Sequence, residues 1–102
     1  MISQEGPATC QREVDLPLGQ IVSTPGAINA LAKASQSGAE LINRHRHGDW
    51  GEVDSGDWAL NDRALIDGDR VLSAYRLKDG TKIWIITESD RSVTTLLLPD
   101  EY

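Results

Sequence analysis

His45, His47, Asp49, Glu52 and Asp54 fall within one short stretch of the chain. Imidazole nitrogens and carboxylate oxygens are the ligands of zinc and similar cations, so a metal centre is the first chemistry to weigh here. The spacing argues against one. In a helix, residues i and i+2 point about 200° apart, so His45 and His47 cannot share an ion unless the helix has already ended. Arg44, His45, Arg46 and His47 read better as a cationic last turn that complements the helix dipole, and no metal is expected. Asp62 is the more informative acid. On a helical wheel it lies between Trp58/Leu65 and Ala59/Ile66, close to the core. An acid there must be paired or hydrogen-bonded, or its pKa rises, and Arg76 or Arg91 from later in the chain could serve. That pairing is the one enzymatic reading available, a small toxin-like or hydrolytic activity using Asp62 with an arginine. No His, Ser or Cys can be placed beside Asp62, so no catalytic residue is assigned. Cys10 has only Arg12 nearby to activate it. No phosphate-cradling loop, dinucleotide fingerprint or Ser-His-Asp order occurs, and no cofactor is expected.

The acids carry a clearer pattern. Between Asp49 and Asp69 stand seven of them (Asp49, Glu52, Asp54, Asp57, Asp62, Asp67 and Asp69) against the single base Arg63, the equivalent of the chain's whole formal charge of −6. Phosphate binding needs a dense basic patch, and none is visible elsewhere, so direct nucleic-acid binding is not expected. An acidic face suits a basic groove on a protein partner, a groove that ordinarily holds nucleic acid; it also keeps a domain soluble. Trp50, between Gly48 and Gly51, is the candidate recognition aromatic, with a Trp that plugs the domain's edge as the competing reading. Trp58 and Trp84 read as core.

The elements that position these residues follow from period and punctuation. Residues 1–18 hold Gly6, Pro7 and Pro17 without sustained periodicity and read as a flexible arm, with 19–102 as one domain. Gln20–Ser23 is a short strand with weak support. Thr24-Pro25 opens a helix, with Ile28, Leu31 and Ala32 on one face. Ser37-x-x-Glu40 is a capping box opening a second, which turns Leu41, Ile42 and His45 to one side and stops at Gly48. A third is capped by Asp54 or Ser55 and runs to about Asp67, before Gly68. The period then changes: 70–77, 81–87 and 92–98 are β-rich runs, the first two joined by a tight turn at Asp79-Gly80. The predicted fold is α+β: a short N-terminal strand, three short helices, then a three-stranded antiparallel meander with helices on one face.

At 102 residues, with 39% hydrophobic and 25% charged, the chain is of single-domain size and ordinary globular composition. It has no long apolar run, no basic head followed by an apolar block, and a lone cysteine. A cytoplasmic protein without a membrane partner is the expectation. A homodimer through an uncovered edge, 70–77 or 92–98, is a further one.

Gly48-Asp49-Trp50-Gly51, Leu60-Asn61-Asp62-Arg63-Ala64-Leu65, Leu72-Ser73-Ala74-Tyr75, the run from Asp79 to Glu88, Asp90-Arg91-Ser92-Val93-Thr94-Thr95 and Leu98-Pro99 together resemble a group of small bacterial proteins of plasmids, prophages and integrative elements. Members are often labelled type I restriction-modification methylase subunits. A methylase needs a doubly wound sheet, a Gly-rich first loop and an Asn/Asp-Pro-Pro-aromatic loop. This chain has no Pro-Pro pair and no Phe, so the resemblance implies a mobile-element setting and no reaction. The expected function is therefore a non-enzymatic accessory protein of a mobile element that binds another protein. Its sharpest form is an acidic inhibitor of a restriction- or CRISPR-type host defence. A self-associating structural module is the other reading.

Overall fold

The computed structural model describes residues 13–102. The elements are β1 (Gln20–Ser23), α1 (Pro25–Lys33), α2 (Gly38–Arg46), α3 (Ser55–Asp67), β2 (Val71–Arg76), β3 (Lys82–Thr87) and β4 (Val93–Leu97), closed by a 3-10 turn at Pro99–Glu101. The fold is α+β, as predicted. The sheet is larger than the predicted meander: four strands, mixed, in the order β1-β4-β3-β2. β2, β3 and β4 form the expected antiparallel set, and β1 adds to it in parallel, with Gln20 opposite Val93 and Ser23 opposite Leu96. The correction has a simple cause. Once β3 has paired with one side of β4, the other side presents a row of unmet N–H and C=O groups, and β1 satisfies them.

Each helix begins on a residue that receives its orphan N–H groups. Thr24 Oγ1 accepts from Ala27 N at 3.2 Å, Ser37 Oγ from Ala39 N at 3.1 Å, and Asp54 Oδ1 from Asp57 N at 2.8 Å. The second half of the expected capping box does not form, because the Glu40 carboxylate accepts from Gln36 Nε2 instead. Two helices turn a different stripe inward from the one expected. α1 buries Ala27 and Ala30 with Leu31 and Ala34 beside them, while Ile28 is 55% exposed. Its buried contact line is made of alanines. α3 buries Asn61 and Ala64, flanked by Trp58 and Leu65, and leaves Ala59 and Ile66 outside.

The core has two parts. Tyr75, Leu77, Ile83, Ile85 and Leu96 lie on the sheet face covered by α1 and α2. Leu16, Trp50, Ala64 and Val71 form a second cluster where α3 meets β2. Leu16 corrects the reading of 1–18 as a loose arm. Its side chain is 2% exposed, its N–H donates to Arg46 O at 2.9 Å, and Asp15 pairs with Arg46 at 2.8 Å. Residues 1–12 of that arm, with Cys10, lie outside the described residues.

Candidate functional site

The best-ordered polar constellation is one that no sequence pattern marked. α2 turns His45 toward the sheet one turn after Leu41, where both are buried. Its Nδ1 lies 2.6 Å from Ser73 Oγ and its Nε2 2.8 Å from Thr87 Oγ1. Thr87 Oγ1 is 2.8 Å from Thr94 Oγ1, and Thr94 donates to Leu18 O at 2.8 Å. The carbonyl at the end can only accept, and for a neutral His45 this fixes every proton in the chain. Thr94 gives its proton to Leu18 O, so Thr87 donates to Thr94. His45 must then donate from Nε2 to Thr87, and Ser73 donates to Nδ1. The neutral ring is thus a defined tautomer, with its proton on Nε2. Burial, with the nearby Arg91 charge as the smaller cause, pushes its pKa down to about 4.

A serine hydroxyl donating to an imidazole nitrogen is also how a nucleophile is activated. Here His45, Ser73, Thr87 and Thr94 are all 0% exposed, so the array as it stands is sealed from any substrate. Its evident effect is structural. It ties α2, three strands and the N-terminal segment through one chain of hydrogen bonds, each group satisfied as burial demands.

Trp50 is corrected from exposed recognition aromatic to plug. It is 0% exposed, meets the His45 ring edge-on at 5.7 Å, and donates from Nε1 to Asp62 Oδ1 at 2.9 Å. Its carbonyl accepts from Ala74 N at 3.1 Å, and Glu52 N donates to Ala74 O at 2.6 Å. Between them Gly51, at φ +77°, sits against Ala74, where any Cβ would collide with the Ala74 carbonyl. Trp84, expected in the core, is half-buried and meets Tyr102 edge-on at 5.8 Å.

Asp62 therefore points inward, as the wheel indicated, and holds an indole N–H. The arginines proposed for it are engaged elsewhere. Arg76 pairs with Glu52 at 3.3 Å, and Arg91 donates to the carbonyls of Asp69 and Ala64.

The acidic segment divides by role. Asp49 is bonded to Arg44 at 2.7 Å, Glu52 to Arg76, and Asp67 to Arg63 at 3.1 Å. Asp54 is a helix cap and Asp62 holds Trp50. Asp57 and Asp69 stand exposed at the two ends of α3. Between them the outer surface of α3 carries two large aliphatics, Leu60 at 67% and Ile66 at 81% exposure. The sequence pattern left Leu60 unmarked and set Ile66 on the core side, because only the packing shows which stripe is outside.

Among the described residues no group of three or more His, Cys, Asp or Glu side chains is arranged to share an ion. His47 lies apart from His45, its Nδ1 2.9 Å from Asn43 O. No helix among the described residues is long and apolar enough to cross a membrane. Comparison with protein-family models, with curated proteins and with solved structures finds no match for this chain.

Proposed function

We propose that the protein is a non-enzymatic binding module, and that the outer face of α3 docks into a basic groove on a partner protein. The observation that carries this reading is the exposure of Leu60 and Ile66 on a helix bounded by Asp57, Asp67 and Asp69. Large aliphatics set outward among charges are the usual anchors of a helix laid into a groove, and α3 itself is fixed from behind by Asn61, Ala64 and Trp58. Charge selects the partner. Acids on a chain of formal charge −6 favour a cationic groove of the kind that holds nucleic acid. The mobile-element resemblance makes a restriction- or CRISPR-type defence protein the first class to test.

The reading is tested by capture from a bacterial lysate in low and high salt. Wild-type protein is compared with a Leu60→Ser/Ile66→Ser variant of matched thermal stability. Support requires a protein retained by the wild type, lost with the variant, weakened by salt and displaced by added nucleic acid. Equal retention by both proteins refutes it.

A further inference from the structure

The two edges of the sheet are treated differently. On β2, the outward main chain is already occupied. The Asn61 carboxamide exchanges two hydrogen bonds with Leu72, Nδ2 to O at 2.7 Å and N to Oδ1 at 3.2 Å. Ala74 is bridged by Trp50 and Glu52. A side-chain amide and a bridging turn thus stand where another strand would pair, a way of protecting an edge from association. This also corrects the expectation of association through 70–77 or 92–98: the first is capped, and the second, β4, lies inside the sheet.

Among the described residues, β1 has no such protection. Gln20 and Thr24 donate to Ser92 O and Leu96 O on β4, so by the two-residue period the N–H and C=O groups of Ile21 and Ser23 point away from the sheet. The strand Gln-Ile-Val-Ser holds no charge and no proline, and Ile21 is 48% and Val22 37% exposed. Ser23 Oγ is buried and without a hydrogen-bond partner among the described residues.

We infer that β1 is a pairing edge and that its occupant is β1 of a second copy of this chain, antiparallel about a two-fold axis through Val22. The register is self-complementary. Ile21 faces Ser23 of the partner subunit and Ser23 faces the partner subunit's Ile21, each pair exchanging both main-chain bonds. The two valines oppose each other at the axis. Neutrality decides for a second copy: an uncharged strand placed against itself meets no like charge, whereas a charged peptide would find nothing to match. The product is one continuous eight-stranded sheet. The two β2 strands lie seven strand spacings apart, roughly 34 Å. Because α3 packs against β2, the dimer presents its two α3 faces at opposite ends, free for other contacts.

The test is sedimentation with a charge swap at the axis. Wild-type protein is expected to pass from monomer to dimer as concentration rises to about 0.5 mM. Val22→Lys and Val22→Glu place like charges opposite each other, so each alone is expected to stay monomeric, and an equimolar mixture is expected to form the heterodimer. Amide exchange on the wild type gives a readout that needs no variant. Protection of the Ile21 and Ser23 N–H groups should rise with concentration, while that of Leu72 stays constant. A wild-type chain that remains monomeric with unchanged Ile21 and Ser23 exchange overturns the inference. So does a dimer indifferent to both substitutions, or a mixture that fails to associate.

Discussion

Protonating His45 should weaken the fold in a pH window set by its own titration. The fold holds the neutral ring, with a pKa near 4 against an ordinary value of 6.5. The folded state therefore binds fewer protons than the unfolded chain between those values, and stability rises with pH there. Above 6.5 both states are neutral and the contribution is fully present. It is lost as pH falls from 6.5 towards 4, and below that both states are charged. A gap of about 2.5 units at 1.36 kcal/mol per unit corresponds to a loss of about 3 kcal/mol, a large part of the stability of a domain this size. The structural reason is specific. A second ring proton on Nδ1 would face the Ser73 hydroxyl, which already points its proton at that nitrogen, so Ser73 would have to turn with the rest of the chain fixed by Leu18 O. Urea unfolding followed by tryptophan fluorescence, from pH 7.5 to 4.5, should show ΔG falling for the wild type and nearly level for His45→Gln. The carboxylates with lowered pKa, Asp15, Asp79, Asp90 and Glu101, start from ordinary values of 3.8 to 4.5 and weaken the fold mainly below this range. Parallel pH profiles for the two proteins, or a His45 ring resonance titrating near 6.5, would refute the reasoning.

Further outcomes follow from the same contacts. Asn61→Ala unpairs both main-chain groups of Leu72 and should cost about 1–3 kcal/mol in urea unfolding, and it should open β2 as a second pairing edge, giving species larger than the β1-paired dimer in sedimentation. Trp50→Phe keeps the ring in its cavity but leaves Asp62 without the indole N–H, so a loss of about 1.5–3 kcal/mol is expected, with Trp50→Ala larger at about 3–5 kcal/mol by the same melt. Glu101 is held below its usual pKa by bonds from Thr24, Leu98 and Gly26. Its contribution is present above 4.5 and lost as pH falls through its lowered value, so Glu101→Gln should lower stability at pH 7 and flatten the acid limb of the profile. Ile66→Ser, on the exposed side of α3, should leave the unfolding free energy within about 0.5 kcal/mol of wild type in urea unfolding.

Local signals were legible where the chemistry is local. Thr24-Pro25, Ser37 and Asp54 mark the three helix starts and Gly68 the end of α3, because caps act within a few residues of themselves. The β2–β3 turn and the central position of β3 were legible for the same reason. What depends on packing was not. The inward stripe of α1 consists of alanines, which periodicity scores as weakly apolar, so Ile28 was drawn inward. The outward placement of Ile66 and the burial of Trp50 depend on how α3 meets β2, and no spacing rule contains that. The β1–β4 pairing joins residues more than 70 apart in sequence. The hydroxyl–imidazole chain joins four elements, although Thr87 offered a hint, standing two residues after Ile85 on the inward side of β3. For Asp62 the inward aim is visible on a wheel, its indole bond only in three dimensions.

The most direct test of the proposed function is the salt-dependent affinity of the captured partner for wild-type protein against an Asp57→Asn/Asp67→Asn/Asp69→Asn variant. Asp62 is left intact because it holds Trp50. If α3 docks in a cationic groove, the variant binds more weakly at low salt, its affinity changes less as salt is raised, and the two proteins converge in high salt. Equal affinity and equal salt dependence for the two proteins would contradict the account.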